Sequence, residues 1–317
     1  MTGAGAVLVT GADGFVGRAL CETLATSSRQ IRRAMRTAQP GVPGAVAVGD
    51  IGGATDWGPA LEGARCVVHL AARTHVLHEA VIDPMTEYRR VNVDGSVQLA
   101  RQAAGAGVRR LVFVSSVKVN GEKTAHPYTE RDPPRPEDAY GISKWEAEQA
   151  LARVAMETGL EVVILRPPLV YGPGVKGNFL RLMKLVARGI PLPLASISNR
   201  RSFVYIGNLV DVILGAIENP GAARTYLVSD GEDVSSPGLV QAIARALGVD
   251  ARLLRCPPAA LMLGAALAGR RTELARLTGS LQVDCSAVRR DFDWQPRFGL
   301  SQGLAETARW YHAQSDA

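Results

Sequence analysis

A chain of 317 residues, 47% of them apolar and 21% charged, has the makeup of an ordinary soluble enzyme and enough length for one large or two closely packed domains. The net charge of +6 raises the possibility of nucleic acid, but the arginines are scattered and no aromatic-interleaved basic stripe occurs; anionic small molecules are the expected partners. Cys21, Cys66, Cys256 and Cys285 lie far apart without metal or disulfide spacing, so reduced thiols in a cytoplasmic protein are expected, without a signal peptide.

The first predicted element is a strand over 6–10 (AVLVT), followed at once by Gly11, Gly14 and Gly17 and then a helix. Glycine at the first position permits a tight turn, and the later two let a pyrophosphate and the sheet approach the backbone. The helix start then offers unpaired N–H groups to the phosphates. A dinucleotide site is expected here.

Strands are predicted next at 31–36 and 45–48. The end of the second strand is where an NAD site usually carries an acid for the ribose. This chain has Arg32, Arg33 and Arg36 there instead. Guanidinium groups suit a 2′-phosphate, which favours NADPH over NADH unless these arginines simply face solvent. Asp50, after the third strand, is placed to accept from an adenine amine or to form a turn.

A strand over 66–71 (CVVHLA) contains His69, expected as a core or cofactor-wall histidine rather than an acid–base group. His75 and His78 follow without carboxylate or cysteine partners, and no metal is expected. A helical run covers 86–106. The strand over 109–115 ends in Ser115 and Ser116, at the sheet edge where ligands bind. Ser116 is the candidate for bonding a substrate oxygen, and Ser115 for satisfying turn backbone.

The helical run 140–158 opens with Tyr140 and Lys144, four apart and therefore on one face. A free phenol has a pKa near ~10 and is a poor acid–base group at neutrality. An adjacent ammonium would lower it by about 1–3 units, so that it can exchange a proton with a substrate oxygen while hydride moves. Such a pair is common by chance; its place in a dinucleotide fold makes it informative.

A strand at 161–165 closes the regular half, and continuous apolar strands alternating with helices predict an α/β fold, a doubly wound parallel sheet of Rossmann type. After Arg166 prolines and glycines crowd 167–174 and 189–193. A smaller C-terminal substrate-binding domain is expected over 167–317, with 203–217 returning to the first domain at 1–166. The apolar run from Cys256 to Ala268 falls short of the roughly 20 residues a bilayer span needs. It is expected to be a core helix, although the GRR that follows would also suit an interfacial one.

TGADGFVG, the HLAA run at 69–72, VNVDG at 91–95, the paired serines, YGISK and RPPLVYGPG together resemble the extended short-chain dehydrogenase/reductase family along nearly the whole chain. The resemblance implies a catalytic triad of Ser116, Tyr140 and Lys144. It implies that NAD or NADP touches Gly11, Gly14, Phe15, Val16, Gly17, Arg36, Asp50, Ile51, Leu70, Ala71, Ala72, Tyr140, Lys144 and Pro167. It also implies a UDP-sugar contacted by Asn178, Arg201 and, near the C-terminus, Arg276, with Arg200 as the competitor of Arg201. Lys118 stands where the 4-epimerase branch carries threonine or serine, and either meets substrate or caps a loop.

SSVKVNGE, GVKGNFLRLMKLV and NRRSFVYIGNLVD are similar to the bacterial 4-reductases that convert UDP-4-keto-6-deoxy-N-acetylglucosamine to UDP-N-acetylquinovosamine for O-antigen and lipopolysaccharide synthesis. Such a reductase, homodimeric through 86–106 and 140–158, is the expectation. The alternatives are a UDP-glucose or UDP-GlcNAc 4-epimerase that retains NAD, and a non-catalytic dinucleotide-sensing protein. Neither nucleic acid nor stable membrane insertion is expected.

Overall fold

The computed structural model describes residues 5–27, 29–37, 39–74, 83–219, 221, 223–267, 269 and 271–315. In chain order its first half runs β1 (Ala6–Thr10), α1 (Phe15–Ala25), β2 (Ile31–Met35), β3 (Ala45–Ala47), α2 (Gly58–Leu61), β4 (Ala64–His69), α3 (Pro84–Arg89), α4 (Gly95–Gly105), β5 (Arg110–Val114), α5 (Ala139–Thr158) and β6 (Glu161–Arg166). There follow β7 (Leu169–Tyr171), α6 (Gly177–Ala187), β8 (Phe203–Tyr205), α7 (Ile206–Glu218), β9 (Thr225–Leu227), α8 (Ser236–Leu247), α9 (Pro258–Leu267), α10 (Arg271–Thr278), α11 (Ser286–Phe292) and α12 (Leu300–Ser315).

Seven parallel strands form the main sheet in the order β3-β2-β1-β4-β5-β6-β9. β1 is buried at all five positions, as a strand covered on both faces must be. One face packs α1, α7 and α11 through Leu20, Leu24, Leu209, Ile213 and Val288. The other packs α2, α4 and α5 through Leu61, Leu99 and Leu151. α7 thus returns from the second half to cover the sheet. β9 joins the edge, although its three residues give too short a run to be seen as a strand in sequence. The parallel pair β7-β8, with α6, α8 and α12, builds a third core around Tyr171, Phe179 and Ile243.

Register sets the ligand-facing edge. Thr10 lies beside His69 and Ala34, His69 beside Phe113, and Val114 beside Leu165. The residues after β1, β2, β4, β5 and β6 therefore emerge on one side. α5 precedes a parallel strand, so its first turn also starts from that side.

Two expectations change. The helical run 86–106 divides into α3 and α4 around a π-helical turn over 90–94, which turns the buried Asn92 inward. The 256–268 run forms α9, but not in the core: Leu263 is 65% exposed and Ala259 and Ala260 face solvent. Among its described residues, Leu261 packs on the third core.

Buried Arg166 of β6 donates through Nε to Glu148 Oε1 at 3.0 Å and through Nη1 to Asn120 at 3.1 Å, fixing α5 to the sheet. Glu148→Ala leaves that guanidinium uncompensated. Urea unfolding is expected to show a loss of about 3–5 kcal/mol.

Candidate active site

Gly11 adopts φ +64°, and Gly14 N–H donates to Gly11 O at 2.9 Å, curling the loop into the start of α1. A Cβ on Gly17 would meet Gly11 O at 2.1 Å, and one on Gly11 would meet the Ala71 backbone at 2.9 Å. The cradle closes only without side chains there. Phe15 and Val16 open α1 above it.

A hydrogen-bond chain ties this loop to the end of β4. Leu70 N–H and Ala71 N–H donate to Thr10 Oγ1 at 3.2 and 3.1 Å. Thr10 Oγ1 lies 2.7 Å from His69 Nδ1, and His69 Nε2 lies 2.9 Å from Ser96 Oγ. Ser96 gives its one proton to Asn92 O, so it accepts from His69 Nε2–H, and Thr10 donates to Nδ1. Burial first, then the Lys144 charge, push the imidazole down to about 3, and it stays neutral. His69 is a bonded interior histidine. His75 and His78 lie outside the described residues, and among those described no three His, Cys, Asp or Glu groups gather as a metal site.

In β2, Arg32 Nε donates to Ala60 O at 2.9 Å and Arg33 donates to Pro43 O. Arg36 pairs with Asp50 at 2.9 Å, both exposed. Ile51 packs against Gly95, and its carbonyl accepts from Arg90 at 3.1 Å. Ala72 lies half-buried at the end of β4.

After β5, Ser116 opens a short 3-10 turn, its Oγ accepting from Lys118 N–H at 3.2 Å. Pro167 O accepts from Val117 N–H at 2.9 Å, holding that turn to the end of β6. Ser115 is buried, and its hydroxyl has no hydrogen-bond partner among the described residues. The expectation that it satisfies turn backbone through its side chain is not met; its N–H does that, donating to Leu165 O at 2.7 Å.

Asp138 caps α5, accepting from Gly141 N–H at 2.7 Å. Its other oxygen pairs with Lys118, and Arg276 reaches it at 3.1 Å while also pairing with Glu122 at 3.0 Å. Burial pushes this carboxyl up, but the Lys118 and Gly141 bonds and the Arg276 charge outweigh it and hold the carboxyl below its usual range. Lys118 Nζ lies 6.0 Å from the Tyr140 ring centre, so the Ser116 turn and the first turn of α5 are neighbours.

Lys144 is fully buried, with Nζ 3.9 Å from the Phe113 ring centre. Burial lowers its pKa to about 7 against the opposing charge of Glu148. Tyr140 is half-buried, and desolvation, Asp138 and Tyr88 all raise its phenol above the ordinary value. The expected lowering of that phenol by Lys144 is therefore not seen. Burial disfavours the charged form of both groups, and the Asp138 carboxylate adds to it for the phenol.

Asn178 stands exposed at the start of α6. Arg201 donates to Arg276 O and, at 2.9 Å, to Gly279 O, clamping the end of α10. Arg200 is exposed.

The profile described as the NAD dependent epimerase/dehydratase family matches residues 7–229. The chain belongs to this family. It is 45% identical over 309 residues to a UDP-glucose 4-epimerase of Vibrio cholerae, covering 96% of this chain and 94% of that one. It is 29% identical over 98% of its length to an N-acetyl-α-D-glucosaminyl-diphospho-ditrans,octacis-undecaprenol 4-epimerase of Escherichia coli O157:H7, of which 97% is covered. The solved structure of MoeE5 in complex with UDP-glucose and NAD superposes with a TM-score of 0.80 at 27% identity, covering 98% of this chain and all of that one.

These likenesses overturn the expected 4-keto-sugar reductase: the two relatives matched along nearly the whole chain above are named as 4-epimerases, one of them at 45% identity. The two activities call on the same serine, tyrosine and lysine and differ in whether the cofactor is consumed, so the motifs did not separate them.

Sequence reasoning passed over three positioning residues. Asn92 accepts from Arg73 N–H at 2.8 Å and donates to Ser143 at 2.9 Å, beside Lys144. Its signal was the VNVDG run, used only as a likeness. Asp138 was legible as an N-cap acid and Glu148 as a carboxylate four residues after Lys144.

Lys144 makes stability pH-dependent. Between about pH 7 and its unfolded value near 10.5, the unfolded chain binds a proton that the folded chain does not, so stability rises with pH. Paired denaturation curves at pH 7 and 9 are expected to show wild type gaining up to about 1.4 kcal/mol per pH unit relative to Lys144→Met.

Proposed function

We propose that the protein is a UDP-hexose 4-epimerase that retains NAD, with UDP-glucose and UDP-GlcNAc as the substrates to examine first. What supports this reading is the neighbourhood of the Ser116 turn and the first turn of α5, which carries Tyr140 and Lys144, at the sheet edge that also holds the glycine cradle. The names of the relatives and the bound ligands of MoeE5 support the same reading.

The cradle fits a dinucleotide: Gly11, Gly14 and Gly17 leave the room that side chains would fill, and α1 starts there. Phe15, Val16, Ile51, Leu70, Ala71, Ala72 and Pro167 would complete its walls. Arg32 and Arg33 are engaged with carbonyls and Arg36 with Asp50, which favours NAD over NADPH. An NAD held in this cradle would supply the hydride acceptor for the sugar carbinol and, once reduced, the donor for the resulting ketone. Tyr140 takes the proton from the 4-hydroxyl and later restores it, Ser116 orients that oxygen, and Lys144 charges to favour the phenolate. Returning hydride to the other face of the ketone inverts C4 with no net redox change.

Residues 1–166 with α7 and β9 would hold the dinucleotide, and the remainder of 167–317 the nucleotide sugar. Asn178, Arg201 and Arg276 are proposed to face its diphosphate and Lys118 a sugar substituent, Arg276 exchanging carboxylates for phosphate. A homodimer through α4 and α5 completes the assignment.

Supplied with UDP-glucose or UDP-GlcNAc and catalytic NAD, the protein is expected to yield the C4 epimer without accumulating NADH. Failure to interconvert either sugar, or stoichiometric NADH formation, overturns the reading. Tyr140→Phe is expected to slow turnover by about 10²–10⁴-fold while dinucleotide affinity stays within a few fold.

A further inference from the structure

An apolar helix that lies exposed is unusual, because a helix hydrophobic on all sides normally belongs in a core. Between Arg255 and Arg270 the chain carries no polar side chain other than Cys256, and α9 occupies most of that run. Leu261 anchors the helix to the third core, whereas Leu263 is 65% exposed. Leu254, just before it, is 54% exposed and Ile190 is 40% exposed.

Ile190 and Leu254 lie on adjoining strips, and α9 follows the second of them directly. The 190s strip and the 250s strip are paired: Leu192 N–H donates to Arg252 O at 2.8 Å, Leu254 N–H to Leu192 O at 2.9 Å, and Ala195 N–H to Leu254 O at 3.1 Å.

The segments that form this surface are basic. No Asp or Glu occurs between Glu161 and Asp211, nor between Asp250 and Glu273. Arg181, Lys184 and Arg188 recur at helical spacing and are exposed along α6 and its C-cap. Arg252, also exposed, lies beside Gly189 at the end of α6, and Arg255 is exposed before α9. In sequence, Arg270 and Arg271 follow the helix.

We propose that this face docks on an anionic lipid bilayer, α9 lying in the plane of the headgroup–acyl boundary and the basic side chains against lipid phosphates. Aliphatic residues bounded at both ends by arginine match that layered medium, apolar below and anionic above. A protein partner fits less well, since α9 is rich in alanine and lacks the aromatic anchors on which protein interfaces rely. The helix is too short to cross a bilayer, and no described helix is long and apolar enough to do so. The contact is peripheral. α9 runs on to α10, which carries Arg276 to the Asp138 cluster, so the docked face adjoins the mouth of the candidate active site.

The test is co-sedimentation of the full chain with vesicles of phosphatidylglycerol and phosphatidylethanolamine, against vesicles of phosphatidylcholine alone, alongside measurement of oligomeric state. Wild type is expected to pellet with the anionic vesicles in a salt-sensitive manner and to remain in solution with the neutral ones. Leu254→Glu/Leu263→Glu is expected to lose roughly tenfold or more of that affinity, and Arg181→Glu/Lys184→Glu/Arg188→Glu to lose it as well, both keeping the wild-type unfolding midpoint within a few degrees. Absence of pelleting, equal pelleting of the leucine variant, or conversion of an oligomer to monomers by that variant overturns the proposal; the last outcome assigns the face to a second copy.

Discussion

A phenol and an amine are held one helical turn apart in surroundings that welcome the charge of neither. Lys144 is buried against Phe113 and brought down to about 7, and Tyr140 is raised by burial and by the nearby Asp138 carboxylate. Ionising either group alone is costly, whereas ionising both together is less so, because each charge supports the other. In the proposed reaction this makes the tyrosine a dormant base, and the charge of bound nicotinamide would add to that of lysine in releasing it.

The fold serves to keep that pair in place. β1, β4 and β5 end in register, bringing the glycine cradle, the Leu70–Ala72 wall and the serine turn to one edge. Two buried networks then fix α5 against that edge. One runs from Thr10 through His69 and Ser96 to Asn92 and on to Ser143; the other joins Glu148 to Arg166 and Asn120. A third cluster, Lys118, Glu122, Asp138 and Arg276, links the start of α5 to the C-terminal half. Its arginine is engaged with carboxylates, so a diphosphate would have to displace them.

Much of this could be read in the chain. Val-rich runs revealed β1, β4, β5 and β6 because burial on both faces requires continuous apolar residues, and the glycine spacing betrayed the cradle because only a bare Cα fits there. β9 was hidden because three residues carry no period. The π turn was hidden because it depends on where Asn92 finds partners. The arginines of β2 left the choice of cofactor open, since composition does not tell a phosphate ligand from a residue such as Arg32 that ties down a neighbouring carbonyl. Substrate class was the hardest: a reductase and an epimerase need the same proton donor, and the relatives decided against the former.

The most direct test follows the Tyr140 phenol itself, by NMR titration of ¹³Cζ-labelled tyrosine assigned with Tyr140→Phe. Without cofactor the signal should titrate above the ordinary value of about 10, and with NAD bound it should fall by about one unit or more. A phenol that ionises at neutral pH without cofactor, or one that NAD leaves unmoved, would contradict the account.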